Sequence, residues 1–363
     1  MRILAVTGSS GGHIFPAAGF LDEFRAAYPG TATMLVLPAR SIETPALSRE
    51  HQVCRISAGT LSLKPCRKNI VSLFLFIKSF FESIVLLARF KPDIVAGFGS
   101  IASIPVVICA WLFRITVVIH EQNVLPGRAN RLLAHIADRI AVSFEQSKGF
   151  FGVNRDRVVW TGNVVRSSLV RIEKRSARRH FGLDPDKRTI LVMGGSQASH
   201  SINFVFAGVY RGLPWRDECQ VIHLCGETDR QALEREYAGS IRSVRLIGFL
   251  REMEYAYSAA DLAICRAGAT TIAELAAYRL PAVLVPYPHA YGHQEFNAKV
   301  LADKGCAIIV ADGRMADGDL RSAVEALAGN GASLADMERS FDKMNSSAPA
   351  SLVKEAMAIH HHE

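Results

Sequence analysis

The sequence predicts an α/β protein of two domains, each a doubly wound parallel sheet, facing one another across a ligand cleft. Three observations predict it. Short apolar runs rich in Val and Ile, without strict alternation, begin at Ile3, Met34, Ile94, Thr116, Ile140 and Val158, and again at Ile190, Val221, Val244, Leu262, Ala282 and Ala307. Strands buried on both faces of a parallel sheet read this way. Helix-length stretches separate most of them, so each half repeats a βαβ pattern. Each half also opens with a strand that runs into glycines, at Gly8 and at Gly194-Gly195, and open α/β sheets bind ligands at their carboxyl edges.

The join lies near residue 165. Arg166 to Arg188 carries eight basic and three acidic residues, few strand formers and the turn Asp184-Pro185-Asp186. This predicts domains at 1–165 and 166–335, then a strandless helical segment at 336–363 able to pack back on the first domain. A chain of 363 residues, 49% of them apolar, can fill two cores. Ile70 to Phe90 is very apolar and nearly long enough to span a membrane. Its polar residues Ser72, Lys78, Ser79, Glu82, Ser83 and Arg89 fall within an arc of about 140°. That predicts a sheet-covering helix whose apolar face packs on the core, with contact to a membrane surface as the alternative.

The net charge of +8, from 42 basic and 34 acidic residues, suits a phosphate-bearing ligand or an anionic membrane surface. No nucleic-acid recognition motif occurs. The seven cysteines are scattered and form no Cys-x-x-Cys, which predicts buried, reduced thiols. Met1-Arg2-Ile3 runs directly into the first strand without a signal-peptide pattern.

The first strand leads into Gly8-Ser9-Ser10-Gly11-Gly12-His13. Such a loop at a helix N-terminus presents bare N–H groups and a partial positive charge to an anion or a polarised oxygen. The pattern G-x-G-x-x-G is absent, and Leu37-Pro38-Ala39-Arg40 stands where a ribose-binding acid would end the second strand; both argue against a nicotinamide enzyme. His13 is placed to take a proton from a hydroxyl, although a loop histidine bonded to backbone looks the same in sequence.

Other strand ends are equally polar. Val117-Val118-Ile119 meets His120-Glu121-Gln122-Asn123, and Val158-Val159-Trp160 meets Thr161-Gly162-Asn163 and Arg166. Gly194-Gly195-Ser196-Gln197-Ala198 precedes a segment containing Asn203. Leu262-Ala263-Ile264 meets Cys265-Arg266-Ala267-Gly268-Ala269-Thr270-Thr271-Ile272-Ala273-Glu274. There a helix start offers N–H groups and hydroxyls to a pyrophosphate, and Glu274, one turn on, offers a carboxylate to ribose hydroxyls; a capped helix with a solvated glutamate is the alternative. Gln294 and Asn297 offer amides suited to sugar hydroxyls from one side of a helix. Asp-x-Asp occurs only in turns at 184–186 and 317–319, and no His/Cys set has ligand spacing. No metal and no cofactor is therefore expected, and a leaving diphosphate would be neutralised by helix ends and by cations such as Arg166.

Taken in order, these motifs resemble the MurG family over nearly the whole chain: Ser10 to His13, His120 to Asn123, Gly162 to Arg166, Gly194 to Gln197, Arg266 to Glu274, and His293-Gln294 with Asn297-Ala298. The resemblance implies the GT-B architecture, two Rossmann-like domains with the donor bound mainly by the second. It implies inverting transfer of N-acetylglucosamine from UDP-GlcNAc to the muramyl 4-hydroxyl of lipid I, an undecaprenyl-linked acceptor, giving lipid II. The enzyme would be peripheral, on the cytoplasmic face of the bacterial inner membrane. His13 matches the family's candidate base. Ser10, Gly11, Gly12, Asn123, Arg166, Ser196, the backbone at Leu250, the stretch Ala269, Thr270, Thr271, Ile272, Ala273 and Glu274, and Gln294 match donor-binding positions. Glu121, Gln197, Asn203 and Asn297 are further candidates.

The chain departs from the family pattern in four places, the first being Ser9-Ser10 for Gly-Thr, where Ser10 keeps the hydroxyl. Gly99-Ser100-Ile101 replaces a Gly-Gly-Tyr-like segment, Ala198 replaces a glycine, and Val164 replaces a proline. A GT-B enzyme with another acceptor, a UDP-GlcNAc 2-epimerase-like activity and a non-catalytic donor-binding homologue stay open as alternatives.

Overall fold

The computed structural model of the chain describes residues 1–39, 41, 51–57, 67–165, 169–195, 198–239, 243–289, 292–329, 331–344 and 350–360. It forms two compact units, Met1–Ser167 with Pro349–Glu363, and Ser168–Ala348.

The first unit carries seven strands: β1 (Arg2–Val6), β2 (Ala32–Pro38), β3 (Gln52–Ile56), β4 (Ile94–Gly97), β5 (Thr116–Glu121), β6 (Arg139–Val142) and β7 (Val158–Trp160). All pair in parallel, in the order β3-β2-β1-β4-β5-β6-β7. Val6 faces Val36 on one side and Gly97 on the other. Helices α1 (Gly11–Ala27), α2 (Arg67–Phe90), α3 (Ser103–Leu112) and α4 (Arg128–Leu133) complete the crossovers. Alternate residues of each strand feed two cores, which is why the strands read as continuous apolar runs. Ile3, Ala5 and Leu35 pack with Phe20 and Phe24 of α1, whereas Leu4, Val6 and Val36 pack with Leu87 of α2 and Val106 and Val107 of α3. The polar reading of Gln52-Val53-Cys54-Arg55-Ile56 hid β3. It lies at the sheet edge with only Ile56 fully buried, and an edge strand keeps little of the apolar signal.

The second unit carries β8 (Arg188–Met193), β9 (Cys219–Leu224), β10 (Val244–Ile247), β11 (Leu262–Cys265), β12 (Ala282–Leu284) and β13 (Ala307–Ile309), parallel in the order β10-β9-β8-β11-β12-β13. Its helices are α5 (Lys174–His180), α6 (His200–Arg211), α7 (Glu227–Glu236), α8 (Met253–Ala259), α9 (Ala269–Tyr278), α10 (His293–Ala302), α11 (Leu320–Ala328) and α12 (Gly331–Ser340). In both sheets the strand order reverses once, between β1 and β4 and between β8 and β11. The crossovers leave in opposite directions there and open a crevice at the carboxyl ends.

The tail predicted as one helical segment at 336–363 is divided. Helix α12 belongs to the second unit, whereas a last helix, Leu352–His360, lies on the first. There Leu352, Val353, Ala356 and Met357 join the core with Ile3 and Phe24, and Glu355 pairs with Arg139 at 3.4 Å. The six described cysteines are free, five of them buried; burial pushes the Cys265 thiol up to about 12, so it stays protonated. Cys66 lies outside the described residues.

Helix α2 keeps part of its apolar face on the core, where Leu87 is buried and Phe80, Leu86 and Phe90 pack, and turns the rest outward, with Phe74 and Phe81 each 67% exposed. Of its polar residues Ser72, Ser79 and Ser83 point into the protein, whereas Lys78 and Arg89 are exposed. The reason is local. Ser83 Oγ donates to Ser79 O and Ser79 Oγ to Phe76 O, both at 2.6 Å. These back-bonds satisfy the hydroxyls within the helix, so small serines can seat α2 against α3 without a desolvation penalty. Leu73, Ile77, Ile84 and Val85 are exposed as well, as are Trp111, Leu112 and Phe113 where α3 ends. Among the described residues no helix is long and apolar enough to cross a membrane.

Candidate active site

In the first unit the site begins where β1 ends. Ser10 starts α1 with its backbone oxygen accepting from His13 N and Ile14 N, both at 3.0 Å, and makes no side-chain cap. His13 stands half-buried on the first turn. Its ring fits a slot between two glycines: a Cβ on Gly8 would lie 3.1 Å from His13 Cδ2, and one on Gly99 3.4 Å from His13 Cε1. Gly11 is buried and Gly12 exposed.

Strand β5 supplies the other wall. His120, Glu121 and Gln122 are all buried. Glu121 is a scaffold for the following loop. One carboxylate oxygen accepts from Asn123 N (2.9 Å) and Asn123 Nδ2 (3.2 Å), the other from Gly127 N (3.0 Å) and Asn130 Nδ2 (2.9 Å). Gln122 reaches His13, with 3.0 Å between His13 Nδ1 and Gln122 Oε1. The two residues are 109 positions apart and follow β1 and β5, the strands on either side of β4.

In the second unit the loops after β8, β11 and β12 meet through Arg266. The residue is 8% exposed, and its guanidinium donates to Asp312 Oδ1 at 2.5 Å, Ser199 Oγ at 2.9 Å, Ser201 Oγ at 3.1 Å and Val285 O at 3.2 Å. Gln294 and Asn297 clamp the next residue from one face of α10. Ala267 N donates to Gln294 Oε1 at 3.1 Å, and Ala267 O accepts from Asn297 Nδ2 at 3.2 Å. Gln294 Oε1 also accepts from Tyr287 N at 2.9 Å. The clamp sets the approach to Gly268, which starts α9 in an extended conformation without a side-chain cap. Thr270, Thr271 and Ala273 are half-buried on that first turn, and Ala269 and Ile272 are buried. Glu274 is buried one turn on, where its Oε2 accepts from Tyr257 OH at 2.6 Å.

The remaining candidates are distributed as follows. Leu250 lies half-buried beyond β10. Asn203 is fully buried and its amide is committed. Nδ2 donates to Cys225 O and Asp229 Oδ2, both at 2.8 Å, while Oδ1 lies 3.0 Å from His223 Nε2. Burial pulls His223 down to about 3, so it is the neutral donor in that pair. Arg166, Ser196 and Gln197 lie outside the described residues. Gln122, Tyr257 and the cation of Arg266 were not singled out from sequence. Gln122 and Arg266 stand inside quoted motifs, but their partners come from distant strands. Tyr257 gives no local signal at all.

Residues 3–142 match the glycosyltransferase family 28 N-terminal domain, and residues 189–355 the C-terminal domain. The UDP-N-acetylglucosamine--N-acetylmuramyl-(pentapeptide) pyrophosphoryl-undecaprenol N-acetylglucosamine transferase of Thermodesulfovibrio yellowstonii is 35% identical over 315 residues, 86% of either chain. Its namesake in Desulfotalea psychrophila is 36% identical over 91% of this chain and 88% of its own. The crystal structure of Acinetobacter baumannii MurG matches with a TM-score of 0.75 at 26% identity, covering 100% of this chain and 99% of that one. The chain belongs to the MurG family. Its fold is accordingly GT-B.

Two departures from the MurG pattern carry strain. Ser100 (φ 73°) and Ala198 (φ 57°) occupy the left-handed region that favours glycine. Both stand in loops at carboxyl edges, Ser100 after β4 and Ala198 after β8. Left-handed backbone costs a residue with a Cβ about 1–2 kcal/mol, partly offset by the conformational entropy that a glycine loses on folding. Ala198→Gly should therefore raise Tm by roughly 1–4 °C. A thermal melt that is unchanged or lower would show that this backbone is not held at positive φ.

Proposed function

We propose that this chain is an inverting hexosyltransferase that moves N-acetylglucosamine from UDP-GlcNAc to the muramyl 4-hydroxyl of lipid I, giving lipid II. The observation that carries the reading is sequence identity of 31–36% to enzymes bearing that name, over 86–95% of the chain. The geometry at the carboxyl edges supports it.

In this reading His13 Nε2 takes the proton of the acceptor hydroxyl. The freed oxygen attacks the anomeric carbon from the face opposite the diphosphate. The bond from that carbon to the diphosphate oxygen breaks, and UDP leaves. Its charge settles on the first turn of α9, Ala269 to Ala273, at the positive end of the helix, with Arg166 and Ser196 as further partners. Glu274, steadied by Tyr257, takes the ribose hydroxyls, and the backbone at Leu250 takes the base. Gln294 keeps Nε2 for the sugar, because its oxygen is committed to Ala267 and Tyr287. Ser10, Gly11, Gly12 and Asn123 complete the donor contacts from the first unit. Glu121 and Asn297 act beneath these groups, holding their loops, and Asn203 braces the base of α6 from inside the core.

The test is UDP release from UDP-GlcNAc, with and without a lipid I analogue. Acceptor-dependent release supports the reading. Donor binding without turnover on that acceptor would move the activity to another acceptor or to a binding role, and failure to bind the donor would end it.

A lipid-linked acceptor gives the outward face of α2 a purpose: a peripheral seat on the cytoplasmic face of the inner membrane. Exposed Lys78, Arg89, Lys91 and Arg114 accompany the exposed aromatic and aliphatic side chains of α2 and α3, the combination that holds proteins on anionic lipid. Burying a Phe side chain yields about 1.5–3 kcal/mol. Phe74→Asp with Phe81→Asp should therefore weaken co-sedimentation with phosphatidylglycerol vesicles by about 100-fold or more. Unchanged binding would place the contact elsewhere.

A further inference from the structure

We infer that Gln122 is a positioning residue that fixes the tautomer of His13, and that one backbone carbonyl, Gly162 O, sets the polarity of the chain of hydrogen bonds that does so. The inference rests on the reading of His13 as the base.

The ordering runs inward from groups whose role is chemically fixed. A carbonyl oxygen only accepts. Gly162 O lies 3.1 Å from His120 Nε2, so that nitrogen carries the proton. Burial pulls His120 down to about 4, so at neutral pH its imidazole has a single N–H, and Nδ1 must be the bare acceptor. The Gln122 side-chain nitrogen lies 3.2 Å from His120 Nδ1 and 3.3 Å from His120 O. Two acceptors, one of them a carbonyl, require the NH₂ end of the amide there. This resolves an orientation that an isolated glutamine leaves ambiguous. The amide oxygen is thereby turned to His13, 3.0 Å from Nδ1, and an amide oxygen only accepts. His13 must carry a proton on Nδ1, which in the neutral ring leaves Nε2 as the lone pair. Ser143 Oγ, 3.4 Å from His120 Nε2, can accept as readily as donate and does not alter the order.

The arrangement performs the orienting task that a carboxylate performs in a serine–histidine–aspartate triad, but with a neutral acceptor. The nearest carboxylate in the motif, Glu121, spends both oxygens on Asn123, Gly127 and Asn130. An imidazole free in water prefers its proton on Nε2, the wrong nitrogen for a base that works from that side. Gln122 reverses this preference. When Nε2 takes the acceptor's proton, the Nδ1–H bond to Gln122 is kept and no second proton moves.

The test reads the tautomer directly, by long-range ¹H–¹⁵N spectra of the full chain labelled at histidine, with the His13 signals assigned by their loss in His13→Ala. Wild type should show His13 protonated at Nδ1 and bare at Nε2. Gln122→Met should move the proton to Nε2 and lower kcat by at least about tenfold, up to the roughly 10²–10⁴-fold cost of losing a general base, with the donor KM unchanged. Gln122→Glu, which still turns an oxygen to His13, should retain the Nδ1–H signal. Should Gln122→Met fail to fold, wild type and Gln122→Glu still decide the matter. His13 protonated at Nε2 in wild type, or a tautomer unmoved in Gln122→Met, would overturn the inference. A moved tautomer with unchanged kcat would sustain it and instead remove the base role from His13.

Discussion

Replacing His13 by alanine should lower kcat by about 10²–10⁴-fold, the usual contribution of a positioned general base, and leave UDP-GlcNAc affinity nearly untouched. The separation follows from where the groups lie. His13 stands on the first unit, among Gly8, Gly99 and Gln122, whereas the proposed pyrophosphate and ribose contacts belong to α9 of the second. Stability should change little, because the ring is only half-buried and holds one hydrogen bond to Gln122. Steady-state release of UDP, paired with donor titration by calorimetry, separates the two quantities. An equal loss of kcat and donor affinity would mean that the mutation had disturbed the donor site, and full activity would remove His13 from the chemistry.

Arg266→Met should produce the largest loss of stability. The substitution keeps most of the side-chain volume and deletes the guanidinium. It leaves Asp312, Ser199 and Ser201 without their shared donor and a backbone carbonyl at Val285 unmet. Breaking a buried ion pair from one side typically costs about 3–5 kcal/mol; Asp312 remains a quarter exposed, so about 2–4 kcal/mol is expected here. For a protein of this size that is a fall in Tm of roughly 5–15 °C. Donor KM should rise as well, since the same cation ties the loop after β8 to the start of α9. Arg266→Lys keeps the charge but not the planar fork and should recover only a minor part of either effect. A melt within about 2 °C of wild type would show that the cation is not what joins these loops.

The strands were legible wherever both faces are covered. Ile3 to Val6 and Ile190 to Met193 read as unbroken apolar runs because helices lie above and below them. The edge strand Gln52–Ile56 lacks that cover and lost the signal. Helix α2 was legible in its periodicity but divided in its outcome: Phe80, Leu86 and Leu87 face the core, whereas Phe74 and Phe81 face outward. Pattern reports which residues share a face, and the back-bonds of Ser79 and Ser83 let these polar residues join the buried one. The glycine loops were visible because Gly8 and Gly194 are required by close approach: a Cβ on Gly194 would lie 2.1 Å from Ser199 N. What escaped were pairings made across strands. Gln122 against His13, Tyr257 against Glu274 and Arg266 against Asp312 each join segments far apart in sequence, and no local period encodes them. Asn203 had the composition of a ligand contact, but its amide braces the core.

The C-terminal helix gives synthesis an order. The first unit is discontinuous: its core takes Leu352, Val353, Ala356 and Met357 from the last dozen residues, and Ala350 N donates to Trp160 O at 3.0 Å. Each large apolar side chain among them contributes about 1.5–3 kcal/mol when buried. The second unit, contained wholly between 168 and 348, has every strand available while the ribosome still holds that helix. The half of the protein that is translated first therefore cannot complete its core until the second unit has been made.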